Sequence, residues 1–215
     1  MKRYDCLKIL SDEMSGDELV LVDMGNVSTE LHAVNHRDGN LYHLQMGIPF
    51  GVGLGLALAL PDRRVIACQG DGSLLENLGV LVELAQMRPE NLLCIVWDNE
   101  CYEAVGGHPT GSAIASLAGI GREAGVPRAT ETTTPEEFAA AVREALAGDL
   151  LSLIVAKIEP GIAEGVRPMT LYAHVEGTIR FVQYVERTSG VTIARPDQWA
   201  RDEIGHPSPD PCGEG

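Results

Sequence analysis

A doubly wound parallel sheet with helices on both faces is the α/β architecture this sequence predicts, and three observations lead there. Two runs, Val65-Ile66-Ala67-Cys68-Gln69 and Leu92-Leu93-Cys94-Ile95-Val96-Trp97, read as buried strands. Segments of helical period alternate with the strands, the pattern of a sheet covered on both sides. Each run also stops at a polar turn, Gly70-Asp71-Gly72-Ser73 and Asp98-Asn99. That places a carboxylate and a carboxamide at the carboxyl edge, where open α/β sheets bind ligands.

The elements follow in order. Tyr4 to Met14 has helical period, with Leu7, Leu10 and Met14 on one face. Glu18 to Asp23 is the first strand and ends in the loop Met24-Gly25-Asn26. Leu41-Tyr42-His43-Leu44 is strand-like, and Ile48 to Leu60 reads as a buried helix whose Gly51, Gly53 and Gly55 permit close packing. After the strand ending at Gly70, a helix is expected from Ser73 to Met87, with Ser73-Leu74-Leu75-Glu76 as a capping box. Another helix is expected from Ser112 to Ala124. Thr134-Pro135-Glu136-Glu137 is a helix start, and Leu151 to Ile158 is a further strand. Met169 to Glu186 reads as a helix, with Ile179, Phe181, Val182 and Val185 apolar. From Pro196 onward no period remains. The expected organisation is a domain over residues 1–160, a helical extension over 161–190 and a mobile tail over 191–215.

A chain of 215 residues, 45% hydrophobic, can build one full core. Its net charge of −15 argues against nucleic acid or an anionic membrane as partner. The cysteines Cys6, Cys68, Cys94, Cys101 and Cys212 show no CxxC spacing. No signal peptide or membrane span is read from the sequence, so a reduced, cytoplasmic protein is expected.

The two strand-end turns carry the chemistry. Asp71 and Asn99 supply hard oxygens of the kind that magnesium prefers. Gly70 and Gly72 let the backbone approach phosphate oxygens closely, and the free N–H groups of a helix starting at Ser73 favour negative charge. Read alone, GDGS and DN are also common strand-ending turns. Spaced as a pair in matching contexts, they suit a magnesium ion that holds a diphosphate.

This pairing resembles the thiamine diphosphate signature, and from Leu19 to Ile158 the chain is similar to the diphosphate-binding half of the thiamine diphosphate decarboxylases. It most resembles the β-subunit type of phosphonopyruvate and sulfopyruvate decarboxylases. The resemblance implies a thiamine diphosphate-binding fold of the PP type over residues 1–160. Asp71, Asn99 and the backbone carbonyl of Cys101 would be the magnesium ligands. Asp23-Met24-Gly25-Asn26 is similar to the loop that touches the diphosphate, so Gly25 and Asn26 join Gly70, Gly72 and Ser73 around the cofactor. Leu44-Gln45-Met46-Gly47 resembles the segment under the aminopyrimidine. There Met46 would prop the bent cofactor and the Leu44 carbonyl would accept from its amino group. Asp98 to Tyr102 with Glu103, Gly106 and Gly107 resembles the metal loop of the phosphonopyruvate branch.

The implied reaction is decarboxylation of a small anionic 2-oxo acid to an aldehyde and carbon dioxide, phosphonopyruvate ahead of sulfopyruvate. The glutamate that activates the coenzyme has no matching context here, although Glu30 and Glu103 are available. By resemblance it belongs to a separate pyrimidine-binding α subunit, in a hetero-oligomer with paired copies of each chain. His108, just past Gly106-Gly107, is the candidate proton handler, whereas His32, His36 and His43 suit structural or surface roles. Arg37 and Arg63 could attract an anionic substrate, though ordinary solvated arginines are commoner. Tyr102 and Glu103 could touch substrate. Three alternatives stay open: the β subunit of a 2-oxoacid oxidoreductase, an acetolactate-type synthase, and a non-catalytic subunit that holds the cofactor.

Overall fold

Successive side chains along the strands point to opposite faces of the sheet, and because the central strands are buried on both faces they feed two cores. The computed structural model describes residues 1–167, 169 and 171–193. The first strands are β1 (Leu19–Asp23), β2 (Asn40–Leu44), β3 (Val65–Gly70) and β4 (Leu92–Asp98). A hairpin of β5 (Cys101–Tyr102) and β6 (His108–Pro109) follows, then β7 (Arg128–Thr132) and β8 (Ser152–Lys157). Among the described residues the main sheet has six strands in the order β2-β1-β3-β4-β8-β7, all paired in parallel. Leu19, Leu21, Val65, Ala67, Leu92 and Cys94 face one core, and Val20, Val22, Ile66, Cys68, Leu93 and Ile95 the other. Both faces are therefore dry, as a doubly wound sheet requires.

Helices cover each face. α1 (Arg3–Glu13), α2 (Asn26–Val34) and α7 (Pro135–Ala147) contribute to the core around Trp97 and Phe138. The other core receives α3 (Pro49–Ala59), α4 (Asp71–Glu76), α5 (Val80–Met87), α6 (Leu117–Glu123) and α8 (Leu171–Ser189). α3 approaches closely at Gly53, where a β-carbon would stand 2.9 Å from that of Ala67. α8 packs against β2 and buries Phe181 and Val185, while Ile179 stays exposed. The helix start expected at Thr134 is present, and there Thr134 and Glu137 form a capping box.

Several expectations needed correction. α2 begins at Asn26, the last residue of the expected loop, and runs over residues given no element by the sequence pattern: Val27, Ser28 and Thr29 are poor helix formers, and the Ser28 hydroxyl bonds back to the Asp23 carbonyl at 2.8 Å. The helix expected from Ser73 to Met87 is two helices, α4 and α5, parted at Asn77, whose side chain donates to the Gly47 carbonyl. Ser73 does not cap, because Gly70 precedes the first turn. Its hydroxyl accepts instead from the Gly47 N–H at 2.9 Å. Ser112 lies in a 3-10 turn, Gly111–Ala113, and α6 starts only after the Ser116 cap. β7 was missed because Arg128-Ala129-Thr130-Glu131-Thr132 is an edge strand with little apolar character. The tail expectation for residues 194–215, Cys212 included, lies outside the described residues.

Candidate active site

β3 and β4 pair in step, with Gly70 beside Trp97, so Asp71 and Asp98-Asn99 leave the sheet as neighbours. On the other side of β3, the last residue of β1, Asp23, accepts from the Gly70 N–H at 2.8 Å. From β1 the chain steps outward to β2, and from β3 it steps the other way to β4, which makes this the switch point of the sheet. A cavity of about 170 Å³ opens there.

Gly25, Asn26, Met46, Gly70, Asp71, Gly72, Ser73, Asn99, Cys101 and Tyr102 line this cavity, as do Arg3, Asp23, Val27, Trp97 and Glu103. Leu44 and His108 are not among its walls. The Leu44 carbonyl accepts from the Met24 N–H at 2.8 Å, which leaves it one lone pair for a second donor. His108 is exposed and pairs with Tyr102 across the hairpin.

Asp71 is 2% exposed and is gripped by two hydroxyls: Thr110 Oγ1 and, at 2.9 Å, Ser112 Oγ both meet its Oδ2. Burial pushes the Asp71 carboxyl up and the two hydroxyls oppose it. Ser112 Oγ also stands 2.8 Å from Asp98 Oδ1, linking the two strand ends. Lys157 donates to Asp98 at 2.9 Å and to Glu100 at 2.6 Å. Burial works against its ammonium, but these two bonds prevail and hold it above the ordinary lysine value. Asn99 Oδ1 accepts from the Cys101 N–H at 3.1 Å, and its Nδ2 donates to Glu103 Oε2 at 3.3 Å. Burial, then Glu103 and Asp71, raise the Cys101 thiol, so it stays protonated near neutrality. Arg3 binds Glu30 at 2.7 Å, Glu103 at 3.3 Å and the Gly161 carbonyl at 2.9 Å.

Asp23 is pushed up to about 7 by burial, against the Gly70 N–H, Ser73 and Arg3, which lower it. Its Oδ1 is buried without a hydrogen bond. The folded value lies above the unfolded one, so the folded chain holds the proton more tightly and loses stability as pH rises toward 7. Asp23→Asn should therefore raise the urea midpoint more at about pH 8 than at about pH 5. Equal gains at both would contradict a titrating, buried Asp23.

A wider cleft at the opposite edge includes Arg63 and Arg64. Arg64 donates to the Glu90, Leu146 and Gly148 carbonyls, Arg63 to the Asp17 carbonyl, and Arg37 to the Gly16 carbonyl. These arginines hold loops at the amino edge of the sheet, away from Asp71. Sequence reasoning missed Arg3, Thr110, Ser112 and Lys157. Only Thr110 and Ser112 carried a signal, their place just beyond Gly106-Gly107.

A switch-point cavity with an acid and an amide on adjacent strand ends is the place where open α/β proteins bind their ligands. The family described as thiamine pyrophosphate enzyme, C-terminal TPP binding domain, matches residues 23–156. The chain is 34% identical over 161 residues to sulfopyruvate decarboxylase subunit beta of Methanococcus maripaludis, covering 74% of this chain and 85% of that one. It is 33% identical over 180 residues to phosphonopyruvate decarboxylase of Streptomyces viridochromogenes, covering 83% of this chain and 45% of that one. The solved thiamine diphosphate-dependent 4-hydroxybenzoylformate decarboxylase of Rhodococcus jostii RHA1 superposes with a TM-score of 0.64 at 21% identity. That likeness covers 76% of this chain and 33% of the other, and it bears on the fold alone. The chain belongs to the thiamine pyrophosphate enzymes and, within them, to the decarboxylases.

Proposed function

We propose that this chain is the diphosphate-binding β subunit of a magnesium-dependent decarboxylase whose substrate is a small 2-oxo acid with a second anionic group, phosphonopyruvate or sulfopyruvate. The observation that carries this reading is the adjacency of Asp71 and Asn99 in a cavity whose one arginine is already paired. Three carboxyl residues, Asp23, Asp71 and Glu103, line that cavity with Arg3, so a diphosphate needs a divalent cation to enter it.

The residues present fit both groups. Asp71, Asn99 and the Cys101 carbonyl would hold the magnesium ion. Gly25, which precedes α2 with φ +94°, leaves the first N–H groups of that helix uncapped by any side chain, at Asn26 and Val27 in the cavity wall. Those groups suit phosphate oxygens. Met46 would bear on the organic part of the cofactor. Bound thiamine diphosphate supplies the electron-accepting ring that lets a 2-oxo acid lose carbon dioxide.

The chain's own residues bind and orient, and the rest of the site comes from a partner. Glu30 and Glu103 are both committed to Arg3, which supports a separate pyrimidine-binding α subunit as the source of the activating glutamate. With Arg3 engaged, contacts to the second anionic group of the substrate also fall to that subunit, in a hetero-oligomer with paired copies of each chain. The test is carbon dioxide release from both substrates, with magnesium and thiamine diphosphate, for the chain alone and mixed with its partner. Activity of the chain alone should be on the order of 10²–10⁴ lower than that of the mixture, as befits loss of a proton-transfer group. Silence of the mixture with cofactor bound would overturn the decarboxylase assignment for these substrates.

A further inference from the structure

We infer that Glu103 is a positioning residue that fixes which end of the Asn99 carboxamide faces the metal, and that Arg3 and the segment at Gly161 hold Glu103 for that purpose. The inference deepens the reading of Asp71 and Asn99 as magnesium ligands and rests on it. The oxygen and nitrogen of a carboxamide are nearly alike in size, so hydrogen-bond partners decide their placement. Asn99 has one partner of each kind: the Cys101 N–H, 3.1 Å from Oδ1, can be met only by oxygen. The Glu103 carboxylate, 3.3 Å from Nδ2, can be met only by nitrogen. Together they hold Oδ1 as the acceptor end, and only an oxygen serves magnesium.

Glu103 is fixed in turn. Its Oε2 accepts from Arg3 at 3.3 Å and its Oε1 from the Gly161 N–H. Arg3 is 6% exposed and anchored to Glu30, which is 1% exposed and also accepts from the Ala163 N–H at 2.8 Å. The first helix and the connection from β8 to α8 thereby meet behind the metal loop. Glu103 is thus tied up by three donors and acts through Asn99. Outer partners of this kind typically change metal affinity 10–100-fold.

The experiment is a four-variant comparison on the chain assembled with its α subunit. Manganese is the probe, and bound ion is read by electron paramagnetic resonance in saturating thiamine diphosphate. In the wild-type background Glu103→Gln leaves one end of the side chain as an NH₂ group facing a donor, either the Gly161 N–H or Asn99 and Arg3. Its hold on Asn99 therefore weakens, and manganese affinity should fall about tenfold. In the Asn99→Asp background the sign should reverse: glutamate repels the new carboxylate, whereas glutamine donates to it, so Glu103→Gln should tighten binding there. Loss in both backgrounds would mean that Glu103 acts by its charge or as a direct ligand and not through the Asn99 carboxamide, which overturns the inference, and so would no effect in either. Asp71→Ala tests the underlying reading separately. If it leaves manganese and cofactor binding intact, the metal site itself is wrong; if it removes them while Glu103→Gln does nothing, only the positioning role falls.

Discussion

Asp71→Ala is expected to remove magnesium-dependent thiamine diphosphate binding, weakening it at least ~100-fold, the upper range for loss of metal-site groups, while the sheet stays folded. The carboxylate is the one charged oxygen donor assigned to the metal, and without it the ion loses a ligand and the negative charge that the protein's assigned ligands supply. The fold survives because Asp71 sits past the end of β3, beyond the last paired residue, Gly70. Its removal strands two hydroxyls, Thr110 and Ser112, but these stand 2.9 Å apart and can bond each other. Truncating Asp71 should therefore cost stability only about 1–3 kcal/mol, the range for disturbing a buried polar group. Met46→Ala is the matching contrast. Met46 lines the same cavity without a metal-binding atom of the right hardness, so its loss should leave diphosphate binding largely in place and slow turnover. Cofactor titration by tryptophan fluorescence, with Trp97 in the cavity wall, beside urea denaturation, separates the two. Equal loss of cofactor affinity in both variants would contradict the division of roles.

How much of this was legible in the sequence depended on how far each residue's partners lie along the chain. The strands β3 and β4 announce themselves because they are dry on both faces, and their polar endings mark the cavity. Parallel pairing in step, which sequence pattern suggests but does not specify, is what makes Asp71 and Asn99 neighbours. β7 was invisible because an edge strand needs no apolar run. Ser73 misled for a related reason: a serine followed by glutamate three residues on satisfies the local rule for a cap, yet its hydroxyl meets Gly47, 26 residues away in sequence. Arg3 left no local trace at all. Its partners are Glu30, Glu103 and Gly161, and only the packing of α1 against the carboxyl edge brings them within reach. A buried ion pair carries a desolvation penalty that only well-placed partners offset, and here the fold supplies those partners from distant parts of the chain.

Gly72→Ala should disable the site as thoroughly as loss of a ligand, by a different route. A β-carbon at Gly72 would run into Cε1 of Tyr102 and stand 2.7 Å from its Cδ1. These are atoms in the body of an aromatic ring, which cannot give way as the end of a flexible chain can. Tyr102 is also held from behind by its pairing with His108, and the Gly107 N–H donates to its carbonyl at 3.0 Å. Expelling the ring therefore shifts β5, and with it the Cys101 carbonyl and the Cys101 N–H that fixes Asn99 Oδ1. One methyl group on the α4 side would thus move Asn99 and Cys101, two of the three assigned metal ligands. Overpacking should cost about 1–3 kcal/mol of stability, whereas cofactor affinity should fall more than about tenfold because ligand geometry is lost. The second-site variant Tyr102→Ala supplies the decisive measurement. It removes the obstructing ring, so Gly72→Ala should weaken cofactor binding much less in that background than in the wild type. If Gly72→Ala is equally damaging with and without the ring, the harm comes from the backbone at Gly72, and contact with Tyr102 is not what requires glycine there.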